Sequence, residues 1–274
     1  MIRRASSTLG AVFKGGYWRM HCPTSYDDAV LARSLAEETG DLLLGLRGDH
    51  DGSADLRAVG DRAAHVLLSD RLRELRPDDA VLSEEAADGV ARLRARRVWL
   101  VDPLDGTREY AEGRSDWAVH VALWEDGELA AGAVALPGRA TTLATDTPPE
   151  VPARPAGRLR VTVSRSRPDP GVLTALGSLS ADVISWGSAG FKAATVLFGE
   201  TDAYVHAGGQ YEWDSAAPVA VARSAGLHAS RLDGSPLRYN AANPYLPDLV
   251  ICRPELATDV LAVLRNATAV GAAR

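Results

Sequence analysis

Cysteine is almost missing from this chain. Cys22 and Cys252 stand alone, without metal-binding spacing or the numbers for a disulfide framework, which suits a reducing, cytoplasmic setting. Lysine is nearly as scarce: Lys14 and Lys192 are the only two among 30 basic residues, so a lysine in a stretch of small residues stands out. There is no excess of positive charge. A net charge of −6 argues against a broad face for nucleic acid. An anionic ligand would therefore need a local cluster of cations or a metal. No apolar run is long enough to cross a bilayer, and neither repeats nor low-complexity segments are found.

What is present is enough apolar material, 46% of 274 residues, for one large core or two smaller ones. Residues 1–25 begin with Ile2-Arg3-Arg4, but glycines, Lys14 and Arg19 interrupt any signal-type segment. They are read as an N-terminal extension, expected to be disordered and without chemistry. A first helix is expected over Asp27 to Arg47, capped by Ser25, with Leu31, Leu35, Leu42 and Leu46 on one face. A second is expected from about Gly60 to Leu75. Asp61 would then lie in its first turn, where a carboxylate favours the helix dipole without any further role.

Strands are expected at Ala80–Ser83 and Val98–Val101, and a hairpin joins Trp117–Trp124 to Leu129–Leu136 through Glu125-Asp126-Gly127. The proline-rich stretch 146–157 is the best boundary, separating an α+β half (26–155) from an α/β half (156–274). In the second half, strands are expected at Leu159–Val163, Asp182–Trp186 and Ala203–His206. Helices are expected at Pro170–Leu179, Phe191–Phe198, Asp214–Ala225 and Pro254–Asn266.

The stretch around which the chain is organised is Val98-Trp-Leu-Val-Asp102-Pro-Leu-Asp105-Gly106-Thr107. An apolar strand ends on two carboxylates that suit a shared cation, and Gly106 permits a turn whose backbone N–H groups could hold a phosphate. Asp, Pro and Gly are equally the residues of an ordinary turn. Upstream, Glu84-Glu85 closes another short strand; in an extended chain only one of the pair faces a common site. Downstream, Asp214 opens a helix, as a cap or as a ligand. Gly187-Ser188-Ala-Gly-Phe-Lys192 is either a tight turn with a surface lysine or an anion cradle. Ser164-Arg-Ser-Arg167 reads as a solvated basic loop.

Glu84-Glu85, then Asp102-Pro-Leu-Asp105-Gly-Thr107, then Trp213-Asp214-x-Ala-Ala resembles, in order, the signature of the lithium-sensitive, magnesium-dependent phosphatases of the inositol monophosphatase superfamily. The likeness runs from about Asp27 onward. Gly187-Ser-Ala-Gly-Phe-Lys192, Trp213-Asp-Ser-Ala-Ala-Pro218 and Asp233-Gly-Ser-Pro-Leu-Arg-Tyr239 are most similar to its 3′(2′),5′-bisphosphate nucleotidase branch, the actinobacterial CysQ type. The resemblance implies a layered αβαβα sandwich with the site between the halves. It implies Glu84, Asp102, Asp105, Asp214 and the Leu104 carbonyl as ligands of two or more Mg²⁺ ions. Thr107 and Asp61 would orient the attacking water, with Glu84 also in the catalytic set. The Gly106 and Thr107 amides would take the phosphate. Val59-Gly60 stand where relatives often place Thr and Ala ahead of Asp61, and Ser53-Ala54-Asp55 replaces the usual Lys-x-Asp approach.

An all-oxygen, acidic site selects hard Mg²⁺, and clamped divalent ions activate water and stabilise a leaving oxygen. The implied reaction is hydrolysis of 3′-phosphoadenosine 5′-phosphate to AMP and phosphate, important in sulfur metabolism. Inositol phosphate or fructose 1,6-bisphosphate is the alternative substrate, and a non-catalytic metal- or phosphate-binding regulator the alternative class. Ser188, Lys192 and Arg167 are candidates for a second phosphate of the substrate, and Tyr239 for its base. The expected partner is a small phosphorylated molecule, with neither nucleic acid nor membrane; relatives include monomers, and a homodimer is allowed.

Overall fold

The computed structural model describes residues 27–50, 55–86 and 89–271. The expected N-terminal extension and the Ser25 cap lie outside them. Helix α1 (Asp28–Gly48) is capped by the Asp27 carboxylate, which accepts the Ala29 amide. Its inward face is Leu31, Leu35, Thr39 and Leu43, not the Leu42 and Leu46 of the expected leucine stripe. Helix α2 (Leu56–Leu75) starts four residues earlier than expected, because Asp55 caps it through the Arg57 amide. Asp61 is therefore beyond the first turn, and the helix-dipole explanation for it falls away.

Strands β1 (Ala80–Ser83), β2 (Arg97–Asp105), β3 (Ala118–Glu125), β4 (Glu128–Leu136) and β5 (Thr141–Ala144) form one sheet in that order, parallel only between the first two. A single-turn helix α3 (Thr107–Ala111) follows β2. The second sheet joins β6 (Arg160–Ser164), β7 (Asp182–Trp186), β8 (Ala203–Tyr211), β9 (His228–Ser230) and β10 (Tyr245–Cys252) in the order β7-β6-β8-β10-β9. Its helices are α4 (Pro170–Ser178), α5 (Ala189–Leu197), α6 (Glu212–Ser224) and α7 (Ala257–Gly271).

Alternation along the strands explains the layering. Trp99 and Val101 of β2, with Val119 and Val121 of β3, pack against Leu35, Leu43, Leu68 and Leu72 of α1 and α2. Val98 and Leu100, on the opposite face, share a core with Phe191 of α5, Val219 of α6 and Tyr204, Leu249 and Ile251 of the second sheet. Val250 and Cys252 point the other way, toward α4 and α7. The five layers are αβαβα, as the resemblance implied. The middle apolar layer draws on both halves of the sequence. The proline-rich segment is pinned at several points: Arg33 pairs with Asp146, Arg154 with buried Asp202, and Arg253 donates to the Pro152 carbonyl. Among the described residues no helix is long and apolar enough to cross a membrane.

Four elements escape the sequence reading: α3, β5, β9 and β10. Strand β10 carries Pro247 and Asp248, which break the apolar alternation, and its pairing with β8 shifts register at that point.

Candidate active site

The acidic corner depends on an irregularity in β2. In a regular strand, Asp102 and Asp105, three apart, would point to opposite faces. Asp102 pairs with His120 of β3 but Asp105 pairs with Ala118, so β2 holds one extra residue there. Such a bulge re-aims side chains and tolerates a proline, here Pro103. The two carboxylates thus reach one cavity of about 400 Å³, lined also by Glu84, Leu104, Gly106, Thr107, Arg108, Glu109, Ser166, Arg167, Gly187 and Asp214.

The four acids arrive from three places in the fold: the turn after β1, the end of β2 and the start of α6. Glu84 sits in the turn after β1, so the rule for an extended chain does not govern the Glu84-Glu85 pair. Glu84 lines the cavity while Glu85 adds its field to Asp61. Asp102, buried at the end of β2, accepts the Leu104 amide at 3.1 Å. Asp214, third residue of α6, accepts the Tyr211 amide at 2.5 Å. Asp105 is the most heavily held: its Oδ2 accepts from Ser188 Oγ at 2.6 Å and the Gly190 amide at 2.7 Å.

Gly106 (φ +90°) makes the turn that starts α3; a Cβ there would lie 3.1 Å from the Ser188 Cβ and 3.3 Å from Trp117. Thr107 Oγ1 lies 3.3 Å from Asp61 Oδ1 and 3.1 Å from the Leu104 carbonyl. Gly60 makes that approach possible. A glycine inside a helix costs about 1 kcal/mol relative to alanine, but a Cβ at Gly60 would press on Tyr110 at 3.0 Å and Leu104 at 3.1 Å.

The electrostatics are those of crowded like charges. Burial, then the Asp214 charge, pushes the Glu84 carboxyl up to about 7. Burial and Asp105 push Asp214 up to about 6, and burial and Glu84 raise Asp102 well above the usual range. Asp105 goes the other way: burial pulls it upward, but His120, Lys192 and Ser188 outweigh that and hold it low. Burial and Glu85 bring Asp61 to about 6 against the Thr107 hydrogen bond. An all-oxygen donor set whose members resist ionising together fits a hard divalent cation.

That repulsion has a measurable consequence in metal-free protein. A carboxyl raised in the folded state stabilises it at low pH, and the contribution is lost as pH climbs through the folded value. His206, held down to about 4 by burial, works in the opposite sense but only below its ordinary 6.5. Lys192, lowered to about 8 by burial, enters only above that. Between pH 6.5 and 7.5 the Tm of metal-free protein is expected to fall, and Glu84→Gln to flatten the fall; a wild-type Tm that is level across this window contradicts the electrostatic picture.

Three expected substrate contacts are turned elsewhere. Lys192 is buried, and its Nζ donates to the Gly187 carbonyl and, at 2.8 Å, to the Ser188 carbonyl, above the Tyr204 ring. It braces the turn from within; it is not a cation facing ligand. Ser188 Oγ is committed to Asp105 and to capping α5 through the Phe191 amide. Neither residue lines the cavity. Tyr239 is also buried, in the middle core, 3.3 Å from Ser215 Oγ. By contrast, Arg108 and Arg167 are exposed at the cavity, with no ion-pair partner among the described residues. Sequence reasoning passed over Arg108, Glu109 and His120. The signal for the last was a single polar residue in the apolar run Ala118-Val-His-Val-Ala122.

Comparison with known proteins gives a consistent picture. Residues 29–269 match the model of the inositol monophosphatase family. The chain is 50% identical over 254 residues to the 3′-phosphoadenosine 5′-phosphate phosphatase of Mycobacterium leprae, covering 87% of this chain and 94% of that one. It is 31% identical to the 3′(2′),5′-bisphosphate nucleotidase CysQ of Escherichia coli K12, covering 77% and 94%. Among solved structures it is similar to CysQ from Bacteroides thetaiotaomicron, with a TM-score of 0.71 at 24% identity over 82% of this chain and 97% of that one.

Proposed function

Because the chain belongs to the inositol monophosphatase family, we propose that it is a Mg²⁺-dependent phosphomonoesterase that converts 3′-phosphoadenosine 5′-phosphate to AMP and phosphate. The observation that carries this reading is the convergence of Glu84, Asp102, Asp105 and Asp214, with the turn at Leu104–Thr107, on one cavity. The names of the mycobacterial and E. coli relatives support the nucleotide bisphosphate as substrate.

In this reading the four carboxylates and the Leu104 carbonyl hold two or more Mg²⁺ ions. The chemistry such ions supply is a lowered pKa for a bound water and charge neutralisation at the phosphoryl and leaving oxygens. The residues do the rest. Asp61 and Thr107 orient the attacking water, and Asp61 takes its proton as the water oxygen bonds to phosphorus. The bond from phosphorus to the 3′-oxygen breaks, that oxygen takes a proton from solvent water to become the 3′-hydroxyl, and Asp61 returns its proton to solvent. The Gly106 and Thr107 amides steady the phosphoryl group.

Arg167, at the rim, takes over the role expected of Lys192 as the cation for the second phosphate, with Arg108 beside the same cavity. An exposed cation acts mostly on binding. Arg167→Ala is expected to raise KM for 3′-phosphoadenosine 5′-phosphate about 10-fold, the loss of one charge-assisted contact of roughly 1.4 kcal/mol. KM for a 3′-monophosphate should hardly move; equal rises for both substrates count against this placement.

The direct experiment is phosphate release from 3′-phosphoadenosine 5′-phosphate, inositol 1-phosphate and fructose 1,6-bisphosphate, with and without Mg²⁺. The highest kcat/KM is expected on the nucleotide. A preference for inositol or sugar phosphate overturns the substrate, and no release from any of the three overturns the enzyme.

A further inference from the structure

His120 touches the segments that carry Asp105 and Asp214. It lies on β3 opposite Asp102, fully buried, on the face that looks into the middle helical layer. Its Nε2 sits 3.1 Å from Asp105 Oδ2, off the line of a well-formed hydrogen bond, and its Nδ1 lies 3.2 Å from the Trp213 carbonyl. Its edge abuts the first turn of α5, where a Cβ on Gly190 would fall 2.1 Å from Nε2. One imidazole is thus wedged between the end of β2, the start of α5 and the residue preceding Asp214.

The nitrogen of His120 is close enough to the Asp102 and Asp105 oxygens for the three to share a metal ion. The geometry argues otherwise. His120 does not line the cavity, and its Nε2 faces the Asp105 oxygen that Ser188 and Gly190 already hold. Three neighbours converge on Oδ2, so Oδ1 is the atom Asp105 has left to present. At the other nitrogen the ring fixes the backbone at Trp213, and with it the start of Asp214.

We propose that His120 is a positioning residue for the cation site: it sets the orientation of Asp105 and its separation from Asp214 without ligating a metal itself. The inference rests on the reading of Asp105 and Asp214 as ligands. Groups that orient ligands from behind are worth about 10- to 100-fold in metal affinity, because a misdirected carboxylate must be reoriented each time an ion binds. Imidazole is a preferred ligand of Zn²⁺ and a poor one of Mg²⁺, which keeps to oxygen. A ligand and a positioner therefore leave different signatures when removed.

The test is calorimetric titration of the metal-free full chain with Mg²⁺ and separately with Zn²⁺, for wild type, His120→Leu and His120→Gln, with Tm measured for each. The expected result is a folded His120→Leu protein whose affinities for Mg²⁺ and Zn²⁺ both fall by about 10- to 100-fold. His120→Gln, whose amide can still reach toward Asp105, should recover part of that loss. At saturating Mg²⁺, KM for the phosphate substrate should change little while kcat stays lowered. If His120→Leu does not fold, His120→Gln alone carries the comparison, with a smaller but equal loss for the two ions. Unchanged Mg²⁺ affinity in a folded variant overturns the positioning role, and so does a loss confined to Zn²⁺, which would make His120 a ligand. Wild-type protein that binds no Mg²⁺ at all overturns the ligand reading beneath it.

Discussion

Asp105→Asn is expected to remain folded and to lose about three orders of magnitude in kcat/KM, equivalent to roughly 4 kcal/mol of transition-state stabilisation. The reason is directional. Asp105 Oδ2 accepts from Ser188 Oγ and the Gly190 amide and faces His120. An asparagine keeps those bonds only by placing its carbonyl oxygen there. Its amide then occupies the place of Oδ1 and points N–H donors where a cation needs an oxygen. Flipping the amide restores that oxygen but sets donor against donor at the Gly190 amide, and a buried donor without an acceptor costs about 1–3 kcal/mol. Both arrangements are poor. Steady-state phosphate release across a Mg²⁺ series, beside a thermal melt, measures the effect. A folded variant with activity near wild type would remove Asp105 from the ligand set.

Asp61→Asn is expected to lower kcat by about 10² to 10⁴, the usual range for loss of a general base, with KM within a factor of about three. Asp61 is not itself in the cavity wall but lies 3.3 Å from Oγ1 of Thr107, which is. Burial and the Glu85 charge set its carboxyl near 6, close to where a base is both ionised at neutral pH and basic enough to take a proton. The sign follows: Asp61 works ionised, so kcat at saturating Mg²⁺ should rise with pH and level off, with the midpoint below the metal-free value of about 6 because bound cations favour the carboxylate. The Asp61→Asn residual rate should lack that limb. If the limb persists unchanged in the variant, another group takes the proton. If kcat is unaffected, Asp61 is a structural acceptor for Thr107 only.

Much of this architecture is legible in the chain. The run into Asp102-Pro-Leu-Asp105-Gly-Thr107 announces itself, because strand-forming residues stop abruptly on groups that no apolar core accepts. The same is true of Glu84 after its short strand and of Asp214 at the head of a helix, and the fold brings all four to one cavity. Asp61 was harder. The sequence pattern starts its helix near Gly60, since Asp55 as a cap is indistinguishable from any polar residue of the preceding loop. That placed Asp61 where the helix dipole explained it. The parity of Asp102 and Asp105 could not be read at all, because a bulge is a property of pairing, visible only in the partner strand. Lys192 defies the sequence pattern for a related reason. A lysine among small residues looks exposed, but here the carbonyls of its own turn supply the acceptors that let it be buried. The pairing of His120 with the acids across β3 and α6 is likewise invisible in one dimension.

The apolar slab between the two sheets has a last consequence for traffic through the enzyme. Phe191, Val219, Tyr204 and Ile251 are glued to Val98 and Leu100 from the far side of the molecule. Prising the sheets apart like the shells of a bivalve would wet all of them at once. The mouth beside Arg108 and Arg167 is therefore mounted on two sheets that cannot swing apart cheaply.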